Sequence, residues 1–163
     1  MPSVYISVGG NIEPRKHIVN ALAKLQQQFS NFKASEVYES RAVGFEGDNF
    51  LNLVVRFDTD LQVEALYDYL HQLEDQEGRQ RPNGKAWDSR TLDLDILLYG
   101  DDIGQFGKVQ LPSEEIEQYA HVFLPLTQLN PEVENPVSGQ RYVSLVNDNE
   151  FDGQQLWVVD LYD

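Results

Sequence analysis

The chain has no cysteine, one methionine and two tryptophans in 163 residues. Without cysteine there is no disulfide framework, no thiolate metal site and no thiol nucleophile, which suits a reducing compartment. Cations are also scarce: 12 Lys and Arg stand against 27 Asp and Glu, a formal net charge of −15. A surface this acidic repels polyanions, which argues against general nucleic-acid binding and docking on anionic membranes. No apolar run approaches the ~18 residues that a membrane span needs. The opening Met-Pro-Ser-Val-Tyr-Ile-Ser-Val has neither the basic segment nor the long apolar core of an export signal, so the expected location is the cytoplasm. There is no internal repeat and no low-complexity tract. An apolar content of 41% over this length predicts a single domain, residues 1–163, with one core.

What is present concentrates in one short run. Residues 90–100 read R-T-L-D-L-D-I-L-L-Y-G and alternate as a strand does. Leu92, Leu94, Ile96 and Leu98 are expected on one face, with Asp93, Asp95, Leu97 and Tyr99 on the other. The two carboxylates then point the same way, roughly 6.6–7 Å apart along the strand. Like charges this close, flanked by aliphatics, call for a cation. Mg²⁺ suits them, since it takes one or two carboxylates and leaves its other positions to water and phosphate oxygens. The same pattern also describes a half-exposed strand with two solvated aspartates.

The preceding stretch favours the metal. Arg79, Arg81, Lys85 and Arg90 put four of the chain's 12 basic residues into residues 79–90. Pro82, Gly84 and Trp87 mark the stretch as a loop. Carboxylates that hold a metal, beside guanidinium forks that hold phosphate oxygens, fit a metal–polyphosphate ligand. A solvated basic loop on an acidic protein is the plainer alternative.

Elsewhere the periodicities are ordinary. Val4, Ile6 and Val8 alternate with Tyr5, Ser7 and Gly9 in a first strand. Pro14 suits a helix's first turn, and Ile18, Leu22, Leu25 and Phe29 follow at helical spacing. Residues 32–39 read as one strand, 41–49 as a loop, and 50–58 as a strand with Leu51, Leu53, Val55 and Phe57 opposite Phe50, Asn52, Val54 and Arg56. Thr59 or Asp60 is placed to cap a second helix with the stripe Val63, Leu66, Leu70, Leu73 and a stop at Gly78. Beyond Gly100 the expectations are a short strand at 108–111, a short helix at 113–119 and a last strand at 156–161. The order strand–helix–strand–strand–helix–strand predicts an α+β, ferredoxin-like sandwich. Its sheet would be mostly antiparallel, with helices on one face and a ligand site on the other.

The run W-D-S-R-T-L-D-L-D-I-L-L-Y-G closely resembles the signature W-G-P-R-T-L-D-[LI]-D-[IL] of the 6-hydroxymethyl-7,8-dihydropterin pyrophosphokinases. V-G-G-N at 8–11 is similar to that family's G-S-N, F-L-N at 50–52 to Y-L-N, and Glu74 with G-R-Q-R at 78–81 to E-x-x-x-G-R-x-R. The resemblance runs from about Val4 to Pro131. It implies an enzyme of folate biosynthesis that moves pyrophosphate from ATP to the hydroxymethyl group of a reduced pterin, releasing AMP. It implies two Mg²⁺ ions held by Asp93 and Asp95, with Arg79 and Arg90 stabilising charge on the transferring group. His71, Glu74, Arg81, Trp87, Ile96, Lys108, Ser113 and Tyr119 would contact ATP. Ser40, Val43, Phe50, Asn52, Asp93 and His121 would contact the pterin. The implied partners are small molecules only, and the implied working unit is a monomer.

Several positions depart from the family pattern. Asp88 and Ser89 replace Gly-Pro, and Pro112-Ser113 replaces Pro-His. Tyr119 stands where Arg is usual, and His121 where an aromatic ring stacks on the pterin. Glu114, Glu115 and Glu117 make this segment acidic. Two alternatives follow: a divergent enzyme acting on another heterocyclic alcohol, or a non-catalytic domain that binds nucleotide and metal.

Overall fold

The computed structural model describes residues 1–41, 47–78, 91–146, 151 and 153–162. Strand β1 (Ser3–Gly10) is followed by helix α1 (Pro14–Gln28), strands β2 (Ser30–Ala34), β3 (Val37–Ser40) and β4 (Phe50–Asp58), helix α2 (Val63–Gln76) and strand β5 (Asp93–Tyr99). These strands lie in the order β5-β1-β4-β3, every adjacent pair antiparallel, and β2 also pairs with β4. This is the expected ferredoxin-like arrangement, in which each long helix crosses between two strands that flank a third. Strand β8 (Leu156–Val159) extends the sheet beyond β3.

The long helices cover one face. Val4, Ile6, Val8, Val55 and Phe57 of the sheet meet Ile18, Ala21 and Leu25 of α1 and Leu66 and Leu70 of α2 in one buried cluster. Phe29, just past α1, stacks on Phe57 with ring centroids 4.1 Å apart. A partly buried polar clamp ties the helices together. His17 Nδ1 lies 2.8 Å from Glu77 Oε1, and Asn20 and Lys24 also reach that carboxylate.

The other face carries a second, smaller core. Hairpin strands β6 (Gly104–Phe106) and β7 (Val109–Leu111) lead into α3 (Glu115–Gln118), α4 (Ala120–Leu129) and α5 (Tyr142–Leu145). Val122, Phe123 and Leu126 of α4 pack with Val54, Leu97 and Leu98 of the sheet. Helix α4 is absent from the sequence expectations. Its apolar run carries no polar stripe, and Pro125 inside it removes a helical N–H.

Three local expectations are corrected. The strand predicted over 32–39 is broken at Ser35 and Glu36. Ser35 Oγ accepts the N–H of Val54, and its own N–H donates to the Val54 carbonyl, so a side chain takes over part of the ladder. Helix α2 has Gln62 at its N-cap, not Thr59 or Asp60; Thr59 Oγ1 instead accepts the Leu61 N–H in a turn before it. The alternation of β5 fails after Ile96. The pairing with β1 shifts between Tyr5 and Ile6, so Ile6 faces Ile96 and Tyr5 faces Leu98, with Leu97 left over. This bulge sends Leu97 and Leu98 together into the second core and returns Tyr99 to the helix side.

Candidate active site

The site grows from the register of three neighbouring strands. Across the face away from α1 and α2, Asp93 lies opposite Gly9, Gly9 opposite Asn52, and Asn52 opposite Tyr38. One step along, Asp95 lies opposite Ser7 and Ser7 opposite Val54. Ser40 pairs with Phe50 at the far end of β4. The floor expected from alternation is therefore assembled, with the two carboxylates at one side and the aromatic ring and amide at the other.

Glycine at position 9 leaves room for a neighbouring side chain. A Cβ there would collide with Asn52 Oδ1, so the bare backbone of β1 lets the Asn52 side chain lie across it. Asn11, only 1% exposed, donates from Nδ2 to the Asp48 carbonyl at 3.0 Å. It thereby pins the segment that enters β4 at Phe50. Neither role was readable from the short match V-G-G-N.

Strand β5 is the edge of the sheet, so Asp95 is exposed beside a cleft of about 300 Å³. Tyr67 and Leu70 of α2 form one wall, and Lys108, Val109 and Ser113 the other, with Leu94 and Ile96 at the base. The Ser113 N–H donates to the Leu97 carbonyl and holds that wall against β5. Glu114 and Glu115 also line the cleft, and Lys108 is the one cation among its described lining residues. Ile96, Lys108 and Ser113 thus gather in one concavity.

The other expected nucleotide contacts are placed differently. Glu74 is 1% exposed, and its Oε2 accepts the Leu94 N–H at 2.7 Å, so its carboxylate is turned into the protein against β5. His71 lies between Glu74 and Tyr67, 3.5 Å and 3.1 Å from them. Tyr119 does not line the cleft; it stacks on His121 with centroids 5.1 Å apart and an angle of 17°. Burial pushes the His121 pKa down to about 4, and the nearby Asp93 carboxylate only partly offsets this. The imidazole beside Asp93 is therefore neutral at pH 7, with no switch near pH 6.5. Val43, Arg79, Arg81, Trp87 and Arg90 lie outside the described residues.

Among the described residues there is no group of three or more His, Asp or Glu that could form a protein-only metal cage. Two carboxylates on one strand face, beside Gly9 and the Ser7 hydroxyl, fit an ion that keeps its remaining positions for water and phosphate. That is the habit of Mg²⁺ rather than of a structural metal.

Residues 5–131 match the family model of 7,8-dihydro-6-hydroxymethylpterin-pyrophosphokinase. Among curated proteins, the chain is 34% identical over 139 residues to the 2-amino-4-hydroxy-6-hydroxymethyldihydropteridine pyrophosphokinase of Aquifex aeolicus, covering 84% of this chain and 86% of that protein. The proteins of the same name from Haemophilus influenzae and Pseudomonas aeruginosa are each 32% identical, covering 85% and 92% of this chain and 88% and 93% of their own. Matched from residue 5 to residue 131 and over most of each relative's length, the chain belongs to the 7,8-dihydro-6-hydroxymethylpterin-pyrophosphokinase family.

Proposed function

We infer that residues 1–163 act as one pyrophosphokinase domain of folate biosynthesis. It transfers the terminal pyrophosphoryl group of ATP to the hydroxymethyl oxygen of 6-hydroxymethyl-7,8-dihydropterin and releases AMP. The observation that carries this reading is the edge strand β5. There Asp93 lies in register with Gly9 and Asn52, and Asp95 lines the cleft, which supports a strand set between two small-molecule sites.

Each described residue then has a definite task. The cleft takes the nucleotide, with Ile96 and the aliphatic wall against the base and Lys108 as its cation. The Phe50 ring offers a stacking face, and the Asn52 amide pairs with the donor–acceptor edge of the pterin. Ser40 borders Phe50. Asp93 and Asp95 would hold two Mg²⁺ ions, which when bound supply charge neutralisation at the triphosphate. Arg79 and Arg90 would steady charge on the group in transfer, with Arg81 and Trp87 on the nucleotide and Val43 on the pterin. The protein works as a cytoplasmic monomer on small molecules. Its net charge of −15 supports the absence of a nucleic-acid partner.

The stacked Tyr119 and His121 favour one second reading, an acceptor other than the usual pterin. The deciding experiment is AMP release from Mg-ATP with and without the reduced pterin. Pterin-dependent AMP is expected. AMP formed only with another heterocyclic alcohol would select the second reading, and none with any acceptor would leave a binding domain.

A further inference from the structure

Helix α2 turns Leu66, Leu70 and Leu73 to the core, yet one line along it is polar. Tyr67, His71 and Glu74 follow at i, i+4 and i+7, a single stripe of the helix. The stripe starts at the cleft, where Tyr67 forms part of the wall. The Tyr67 hydroxyl lies 3.1 Å from His71 Nε2, and the two rings are 4.3 Å apart. His71 Nδ1 lies 3.5 Å from Glu74 Oε1. Glu74 Oε2 accepts the backbone N–H of Leu94 at 2.7 Å, and Leu94 sits between Asp93 and Asp95. The line therefore ends on the backbone of the strand that carries both carboxylates.

Exposure falls along this line, from the partly exposed Tyr67 and His71 to the buried Glu74. A carboxylate 1% exposed is unfavourable unless it is well bonded, and a leucine would pack there without that penalty. We propose that Tyr67, His71 and Glu74 are a positioning relay that couples occupancy of the cleft to the placement of Asp93 and Asp95. The inference rests on the cleft being the nucleotide site. His71 turns Nδ1 toward the Glu74 carboxylate at ion-pair distance and Nε2 toward the Tyr67 hydroxyl. A nucleotide held against Tyr67 fixes the ring. The fixed ring orients His71, and His71 holds Glu74 on the Leu94 amide. None of the three touches reacting atoms; they act through β5.

Calorimetric titration of ATP with and without Mg²⁺ tests this, with melting temperatures measured in parallel. Tyr67→Phe keeps the ring and loses the hydroxyl, and His71→Leu breaks the middle of the line. Each should weaken Mg-ATP binding roughly three- to tenfold, the scale of one hydrogen bond, and ATP alone by less than about twofold. The double variant should be no weaker than the worse single one, because both break the same line. Equal weakening with and without Mg²⁺, additive losses, or a change in melting temperature alone would overturn the relay. Wild-type protein that binds no Mg-ATP would overturn the nucleotide reading and the relay with it. Wild-type binding with unaffected variants would overturn the relay only.

Discussion

On the helix-covered face of the sheet, Val4, Ile6, Val8, Val55 and Phe57 are completely buried. On the opposite face the same sheet presents Ser7, Gly9, Asn52, Asp93 and Asp95, two of them charged and one without a side chain. The first face contributes free energy through apolar area, roughly 25 cal/mol per Å² removed from water. The second contributes little stability, and part of it is covered by a smaller core that leaves the edge at β5 open. Period-two alternation thus places stability and chemistry on the two sides of one backbone. Substitutions one residue apart should therefore affect different measurements.

The sharpest way to break this comparison lies at the carboxylates. Asp93→Ala and Asp95→Ala should each lower Mg²⁺-dependent turnover by at least about 10³-fold, since the metal's charge neutralisation is lost at the triphosphate. Melting temperatures should stay close to wild type. Undiminished turnover in both variants would mean that the floor is not the catalytic face. On the other face, Leu66→Ala should lose about 2–5 kcal/mol of unfolding free energy through the cavity it leaves. Denaturant titration reads that loss, and KM values measured well below the unfolding midpoint should be unchanged.

How far this division is legible in the sequence depends on the face. Where one side of an element is uniformly apolar, as in β4 or α2, spacing alone yields the element and the residues it turns to the main core. The Asp93 and Asp95 pair and the Phe50 and Asn52 pair are legible for the same reason. Legibility fails where a side chain replaces backbone pairing, as at Ser35, or where a bulge shifts the period, as at Leu97. Helix α4 has no clear stripe to find, because its exposed side carries Leu124 as well as Gln128. Glu74 reads as a ligand contact by its place in a motif; its burial and its bond to the Leu94 N–H are visible only in the structure. Tyr67 was missed. The spacing Tyr–x₃–His–x₂–Glu on one helix stripe is the signal that would have found it.

A middle-sized test uses Gly9. In Gly9→Ala the new methyl meets the end of the Asn52 side chain, which can swing away, so the fold should lose under about 1 kcal/mol. Pterin affinity should fall on the order of tenfold, because the displaced amide leaves its hydrogen bonds unmade. Comparable losses in the Asn52→Ala variant, with no further loss in the double variant, would sharpen the assignment. Full pterin affinity in Gly9→Ala would remove Asn52 from the site.

The helix face makes one pH-dependent contribution. Burial of Glu77 raises its pKa, but hydrogen bonds from His17 and Asn20 and the charge of Lys24 outweigh this, and the net shift is downward. A carboxylate whose folded pKa is depressed stabilises above its unfolded value and loses that contribution as pH falls through the folded one. Stability should therefore decline in the acid range below about pH 4.5, and Glu77→Gln should flatten the decline. A Glu77→Gln profile parallel to wild type down to pH 3 would show that the clamp carries no such linkage.

The smallest expected effect lies at His121. Its ring stacks on Tyr119 and sits near Asp93, and burial keeps it neutral over the physiological range. Charge therefore does not decide what it does to an acceptor; ring size and polarity do. A phenyl ring in its place would extend the Tyr119 stack, remove a partly buried polar group and offer a larger face. His121→Phe should then tighten reduced-pterin binding by roughly 0.5–1.5 kcal/mol, read by titration at pH 7 with Mg²⁺ and a non-hydrolysable ATP analogue present. Because the imidazole is already neutral, the gain should be the same at pH 6 and pH 8. A gain confined to pH 6 would mean that His121 is charged there and that its surroundings differ from those described. Weaker binding at every pH would mean that the imidazole makes a hydrogen bond to the acceptor that phenyl cannot. The acceptor would then be a heterocycle selected by that bond rather than by stacking.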